Sequence, residues 1–258
     1  PTTGSLSRMR WPWTAQERGL KLFGVGNEKT GTHSLAGVFG RYRTEHEPEV
    51  PELRELVCRH RRGETRPGEL ERYFRAKERR LRLEVDSSFL NGEVIDALVP
   101  CYPNARYVLT VRDPRSWLDS MINQSLRYRS EPWLELRALR VGSGLPHPAE
   151  ERPLADRGLY SLDGYLSEWA RHNRRVLEHV PASQLLVLRT QDITDRVEDL
   201  AEFAGVPVAT LDVERSHEFR GPVKYHVLEE LDQDYLDAKI REHCGELAEQ
   251  LLVAPEPR

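Results

Sequence analysis

One stretch constrains the fold more than any other: Leu20-Lys-Leu-Phe-Gly-Val-Gly-Asn-Glu-Lys-Thr-Gly-Thr-His-Ser-Leu35, an apolar run, a glycine-bracketed turn and the start of a helical pattern. A strand ending near Val25 and a helix opening near Thr32 point several backbone N–H groups and the positive end of the helix at one spot, a natural seat for an anion. Lys29 adds a full positive charge there. The residue order departs from the nucleoside triphosphate loop Gly-x-x-x-x-Gly-Lys-Ser/Thr, because Lys29 comes before Gly31 rather than after it.

A second segment has the same logic. In Tyr102-Pro-Asn-Ala-Arg-Tyr-Val-Leu-Thr-Val-Arg-Asp-Pro-Arg-Ser-Trp-Leu-Asp-Ser120, residues 107–111 read as a buried strand and Pro114 suits the first turn of a helix. Arg112 and Ser120 flank the junction. A guanidinium offers a planar fork of donors to a phosphate, and a hydroxyl along the helix adds another.

Together these residues resemble the sulfotransferases that use 3′-phosphoadenosine 5′-phosphosulfate (PAPS). Lys29-Thr30-Gly31-Thr32 is similar to the family's 5′-phosphosulfate loop, to which His33 and Ser34 belong by position. Arg112 and Ser120 have the spacing of its 3′-phosphate site. Gln184 to Pro207 resembles the family's late strand, its Arg-x-x-Asp turn and the helix that follows, with Asp192 tying the turn. Arg220 and Gly221 match a loop that closes over the nucleotide, with Lys224 as a substitute. The resemblance runs over roughly residues 20–226. It implies sulfuryl transfer from PAPS to a hydroxyl, less readily an amine, with release of adenosine 3′,5′-bisphosphate and no metal.

Elements alternate along the chain: strand 20–25, helix 32–40, strand 43–46, a polar helical stretch 51–79, strand 81–85, helix 91–98, strand 106–111 and helix 114–126. This predicts an α/β fold, three layers around a central parallel sheet of about five strands, with ligand at the carboxyl ends of the strands. Residues 1–19 read as an extension and 20–258 as a single domain. Residues 127–160 break the rhythm with Pro132, Gly142, Gly144, Pro146, Pro148 and Pro153, and read as an acceptor-side lid or insertion. Helix 161–180 resumes it with a core-facing stripe.

Net charge −4 gives no case for nucleic acid, and 42 acidic residues interleave with 38 basic ones. Cys58, Cys101 and Cys244 lie far apart, without metal or disulfide spacing, which suits a reducing compartment. No apolar run has the length of a membrane span and residues 1–18 lack the apolar core of a signal peptide, so a cytoplasmic protein is expected. The expected partner is a small-molecule acceptor. Its identity and the oligomeric state are not legible.

A proton acceptor completes the chemistry. Tyr42-Arg-Thr-Glu-His-Glu-Pro48 follows the first helix and returns to the strand-end rim, so Glu47 is the first candidate, with His46 as its partner or alternative. Asp86, where some relatives carry a histidine after a strand, is a further candidate or a helix cap. Two other classes fit the loop less well: a P-loop kinase or hydrolase, which needs lysine after glycine, and a nucleotide-binding module that has lost catalysis.

Overall fold

The computed structural model describes residues 19–142, 144–217 and 224–252. The first strand, β1 (Leu22–Gly24), leads through the loop 25–31 into helix α1 (Thr32–Val38), and β2 (Thr44–His46) follows. Next come α2 (Val50–Arg61), α3 (Glu69–Leu81), β3 (Val85–Ser87), α4 (Phe89–Glu93), α5 (Ile95–Cys101), β4 (Arg106–Val111) and α6 (Pro114–Arg127). The second half contains α7 (Glu131–Arg137), α8 (Arg152–Ala155), α9 (Leu162–His179), β5 (Leu185–Arg189), α10 (Val197–Ala204) and α11 (Gln233–Leu252).

Among the described residues the strands form one sheet of order β2-β3-β1-β4-β5, parallel throughout. Alternation along the strands sends side chains into two cores. Phe23 of β1 packs on one face with Tyr107, Leu109, Trp117 and Trp169, while Leu22 packs on the other with Leu35, Val85, Val108 and Leu188. Helices therefore cover both faces, as the alternation of elements predicts.

The polar stretch 51–79 divides into α2 and α3, since Gly63 and Gly68 both take positive φ (73° and 70°), which helical residues do not. The third strand lies later than expected, at Val85–Ser87 rather than 81–85. Leu81 ends α3, and Arg82 closes it in the left-handed region at φ 50°.

Residues 127–160, read from the sequence as a broken loop, carry α7, a π-helical turn Ala138–Gly142 and α8. They bury Leu136, Arg137, Arg140, Val141 and Leu154. The two buried arginines explain why hydrophobic periodicity misses this segment: its anchors in the protein are charged.

Local signals set the helix starts that matter for the site. Pro114 occupies the first turn of α6, and the Asp113 carboxylate caps it by accepting from Ser116 N at 3.0 Å. That cap fixes the helix directly after Arg112.

Candidate active site

The loop 25–31 is held by its carbonyls. Asn27 O accepts from Thr30 N (3.2 Å) and Thr30 Oγ1 (2.7 Å), Glu28 O from Trp117 Nε1 (2.8 Å), and Thr30 O from Thr190 Oγ1 (2.5 Å). Arg112 NH1 reaches Lys29 O at 3.5 Å. The first N–H groups of α1 have no acceptor within their own helix. Lys29 sits in the left-handed region at φ 68°, and Gly31 at φ 97°. Gly26 is required by space, since a Cβ there would lie 2.0 Å from Thr110 Oγ1 and 2.7 Å from Thr110 O. The turn is thus tied to its neighbours by hydrogen bonds and half-buried at Lys29.

Lys29, Thr30, Gly31, Thr32, His33 and Ser34 are thus one structural unit. Thr30 is buried beneath it, its hydroxyl 2.9 Å from that of Thr110. Burial pushes the Lys29 ammonium below its ordinary range; Glu28 and Glu47 oppose the shift, Arg112 and Arg127 add to it. Those neighbours place Arg112 from the end of β4, Arg127 from α6 and Glu47 from beyond β2 around one lysine.

Glu47 follows β2 at φ 51°, its N–H bonded to Ser87 O at 2.9 Å. Burial, reinforced by Glu28, raises its carboxyl to about 7, with Lys29 and Arg140 pulling the other way. His46 Nε2 lies 3.1 Å from Thr32 Oγ1 and 3.8 Å from Glu47 Oε1, and its ring meets that of His33 edge-on at 4.9 Å between centroids. Burial, then His33 and Lys29, lower His46 to about 4, so it is neutral at pH 7. Glu47 and His46 are brought to the loop as the sequence led one to expect.

Asp86 is not. Register pairs it with Phe23, on the sheet face away from α1, and its carboxylate lies 2.7 Å from Lys77 Nζ and accepts from Asn91 Nδ2 at 3.0 Å. Both Asp86 and Lys77 are almost wholly buried. The strand position that suggested a base therefore holds one half of a buried ion pair.

Arg112 donates from Nε to Ser116 Oγ at 2.7 Å. Burial lowers its pKa, against Asp119 and Asp113. Ser120 lies half-buried one turn beyond Ser116, on the same row of α6. Sequence reasoning missed Ser116, although its spacing of four from both Arg112 and Ser120 was the available signal. A cleft of about 330 Å3 opens beside it, lined by Asp113, Ser116, Asp119, Lys224 and His226. Arg220 and Gly221 lie outside the described residues. Lys224 is exposed at the cleft, and its neighbour Tyr225 donates its N–H to Asn123 Oδ1 of α6 at 2.8 Å.

Behind the loop lies a buried set of charges that no motif signalled. Arg140 bonds Glu28, Glu93 and Glu168, and Arg61 bonds Glu93. Glu93, Glu168 and His172 bring possible metal ligands within 4.8 Å of one another, but the carboxylates are already paired with guanidinium groups. Burial alone would raise the Glu93 carboxyl; Arg140, His172 and Arg61 outweigh it and hold it well below the usual carboxylate range. This donor set suits cations of the protein itself rather than a metal.

Residues 21–219 match a family described as "Sulfotransferase domain". No curated protein matches the chain. A solved structure, the sulfotransferase from Alicyclobacillus acidocaldarius, superposes with a TM-score of 0.53 at 17% identity, covering 92% of this chain and 97% of that one. At that identity the likeness concerns the fold. With the family match spanning the loop, the β4–α6 junction and the late strand, this chain belongs to the sulfotransferase family.

Proposed function

We propose that this chain transfers the sulfuryl group of PAPS to a hydroxyl, less readily an amine, of a small-molecule acceptor and releases adenosine 3′,5′-bisphosphate. The observation that carries this reading is the convergence on Lys29 of Arg112, from the neighbouring strand end, and Glu47, from the rim beyond β2. Anion donors, a second phosphate ligand and a proton acceptor then surround one place.

In this reading Lys29 and the loop amides bind the 5′-phosphosulfate, with Thr30 to Ser34 shaping the turn. Arg112, Ser116 and Ser120 take the 3′-phosphate; the 2.7 Å bond from Arg112 to Ser116 holds the guanidinium ready. Glu47 removes the acceptor proton as the new O–S bond forms. The bond from sulfur to the phosphate oxygen breaks, and Lys29 neutralises the charge that develops on that oxygen. A carboxyl poised at about 7 suits proton removal at neutral pH. His46, neutral and tied to Thr32, orients the carboxylate. Residues 127–160, anchored behind the loop through Arg140, keep the part of an acceptor-side lid or insertion in this reading.

Calorimetric titration with adenosine 3′,5′-bisphosphate, beside ADP and magnesium-ATP, tests the reading. Binding that favours the bisphosphate is expected. Preference for magnesium-ATP would move the chain to the kinases or hydrolases, and no nucleotide binding would favour a module whose site has decayed.

A further inference from the structure

A carboxylate is an odd neighbour for the lysine of an anion-binding loop, because its charge repels the ligand. Glu28 is nonetheless buried, 8% exposed, directly before Lys29. Its direction is set by two arginines. Arg140 NH1 donates to Glu28 Oε2 at 3.1 Å, and Arg137 NH2 lies 3.6 Å from Glu28 Oε1. Arg140 NH2 also donates to Asn27 Oδ1, which accepts the Glu28 N–H at 2.7 Å. One guanidinium thus grips two successive loop side chains.

Arg140 is itself immobilised. It is 1% exposed, its Nε is shared between Glu93 Oε1 (2.9 Å) and Glu168 Oε1 (3.1 Å), and its guanidinium lies 4.8 Å from the Phe89 ring centre. It stands on the π-helical turn that follows α7, a local widening that recurs at functional sites. Buried ion pairs are weak devices for stability, since apolar residues of similar volume serve as well or better. What this one supplies is direction.

Building on the sulfotransferase reading, we propose that Arg140 is a positioning residue: through Asn27 and Glu28 it holds the Lys29 turn in the form that receives the anion. Glu28 is the handle by which it does so. The carboxylate is turned back into the protein, and the repulsion it would exert on an anion is offset by the two guanidinium groups.

Two measurements on the full chain test this. Hydrogen exchange without ligand should find the amides of Thr30 and Leu35, which bond Asn27 O and Gly31 O, exchanging at least about tenfold faster in Glu28→Gln and in Arg140→Lys, while β4 and α9 keep their protection. Arg61→Lys, which disturbs the same charge cluster at Glu93, Glu168 and Leu139 O but touches neither Asn27 nor Glu28, should leave the loop as in the parent protein. Unchanged loop exchange in both variants, or equal loosening by Arg61→Lys, would overturn the proposal. If Arg140→Lys does not fold, Glu28→Gln, which leaves Arg140 paired with Glu93 and Glu168, decides alone.

The second measurement is affinity for adenosine 3′,5′-bisphosphate. Positioning predicts weaker binding in Glu28→Gln by about tenfold; a carboxylate that merely repels the ligand predicts tighter binding, and that result would also overturn the proposal. Failure of the parent protein to bind the bisphosphate would overturn the nucleotide reading instead, while the exchange experiment still judges Arg140.

Discussion

Thr32 Oγ1 and His46 Nε2 lie 3.1 Å apart, joining the first residue of α1 to the strand that presents Glu47. The imidazole, held neutral by burial and by His33 and Lys29, sits between loop and carboxylate without carrying a charge of its own. In the proposed mechanism its part at pH 7 is orientation of the carboxylate, a basicity lowered to about 4 making it the weaker proton acceptor of the two. His46→Ala should lower kcat by about tenfold, whereas Glu47→Gln should lower it by about 100-fold to 10,000-fold, as loss of a general base does. The pH profile of the parent enzyme should rise through about 7 and lose that limb in Glu47→Gln. Full activity in both variants would remove Glu47 and His46 from the chemistry.

Lys29 and Arg112 should separate in their kinetic effects. Lys29→Ala removes the charge that in the proposed mechanism faces the leaving oxygen and should cost at least about 100-fold to 1,000-fold in kcat. Arg112→Ala should weaken adenosine 3′,5′-bisphosphate by about tenfold or more, and Arg112→Lys should restore little, because an ammonium cannot reproduce the fork that bonds Ser116. Parent-like turnover in Lys29→Ala or parent-like affinity in Arg112→Ala would sink these assignments.

The loop was legible because its demands are local. Gly26 faces a neighbouring strand, Gly31 takes a positive φ, and both stand within five residues of Lys29. Arg112 and Ser120 were readable for a similar reason, since a strand and a helix meeting at Pro114 fix their relation. Arg137 and Arg140 were not, because arginine is ordinarily a surface residue and their partners Glu28, Glu93 and Glu168 come from distant parts of the chain. Asp86 was misleading in the same way. Its position at a strand end was visible, but the Lys77 that claims it lies nine residues earlier on α3, which packs on the sheet face away from α1.

Asp86→Asn tests that last point. It leaves Lys77 buried without its counter-charge and should lower stability by about 3–5 kcal/mol in denaturant melts. The kcat of the molecules that remain folded should stay near the parent value. A selective loss of kcat with stability intact would return Asp86 to the list of proton acceptors.

Glu47 should also leave a mark on stability, of a sign peculiar to a buried base. Its carboxyl stands at about 7 in the folded protein against an ordinary value of 4.5, so between those pH values the folded state holds a proton that the unfolded chain has released. The contribution is complete below 4.5 and is lost as pH rises through 7, a cost of about 3 kcal/mol once the group is ionised in both states. Glu47→Gln escapes the cost. It should therefore be more stable than the parent by about 2–3 kcal/mol at pH 8, and by less than about 1 kcal/mol at pH 5, in urea melts at both values. His46 does not imitate this, because its lowered pKa destabilises the folded protein at acid pH instead. A variant that is inactive yet more stable, and only on the alkaline side, would show that the protein trades stability for a carboxylate held beside Lys29. Equal stability gains at pH 5 and pH 8 would mean that Glu47 ionises in the folded state as readily as in the unfolded chain.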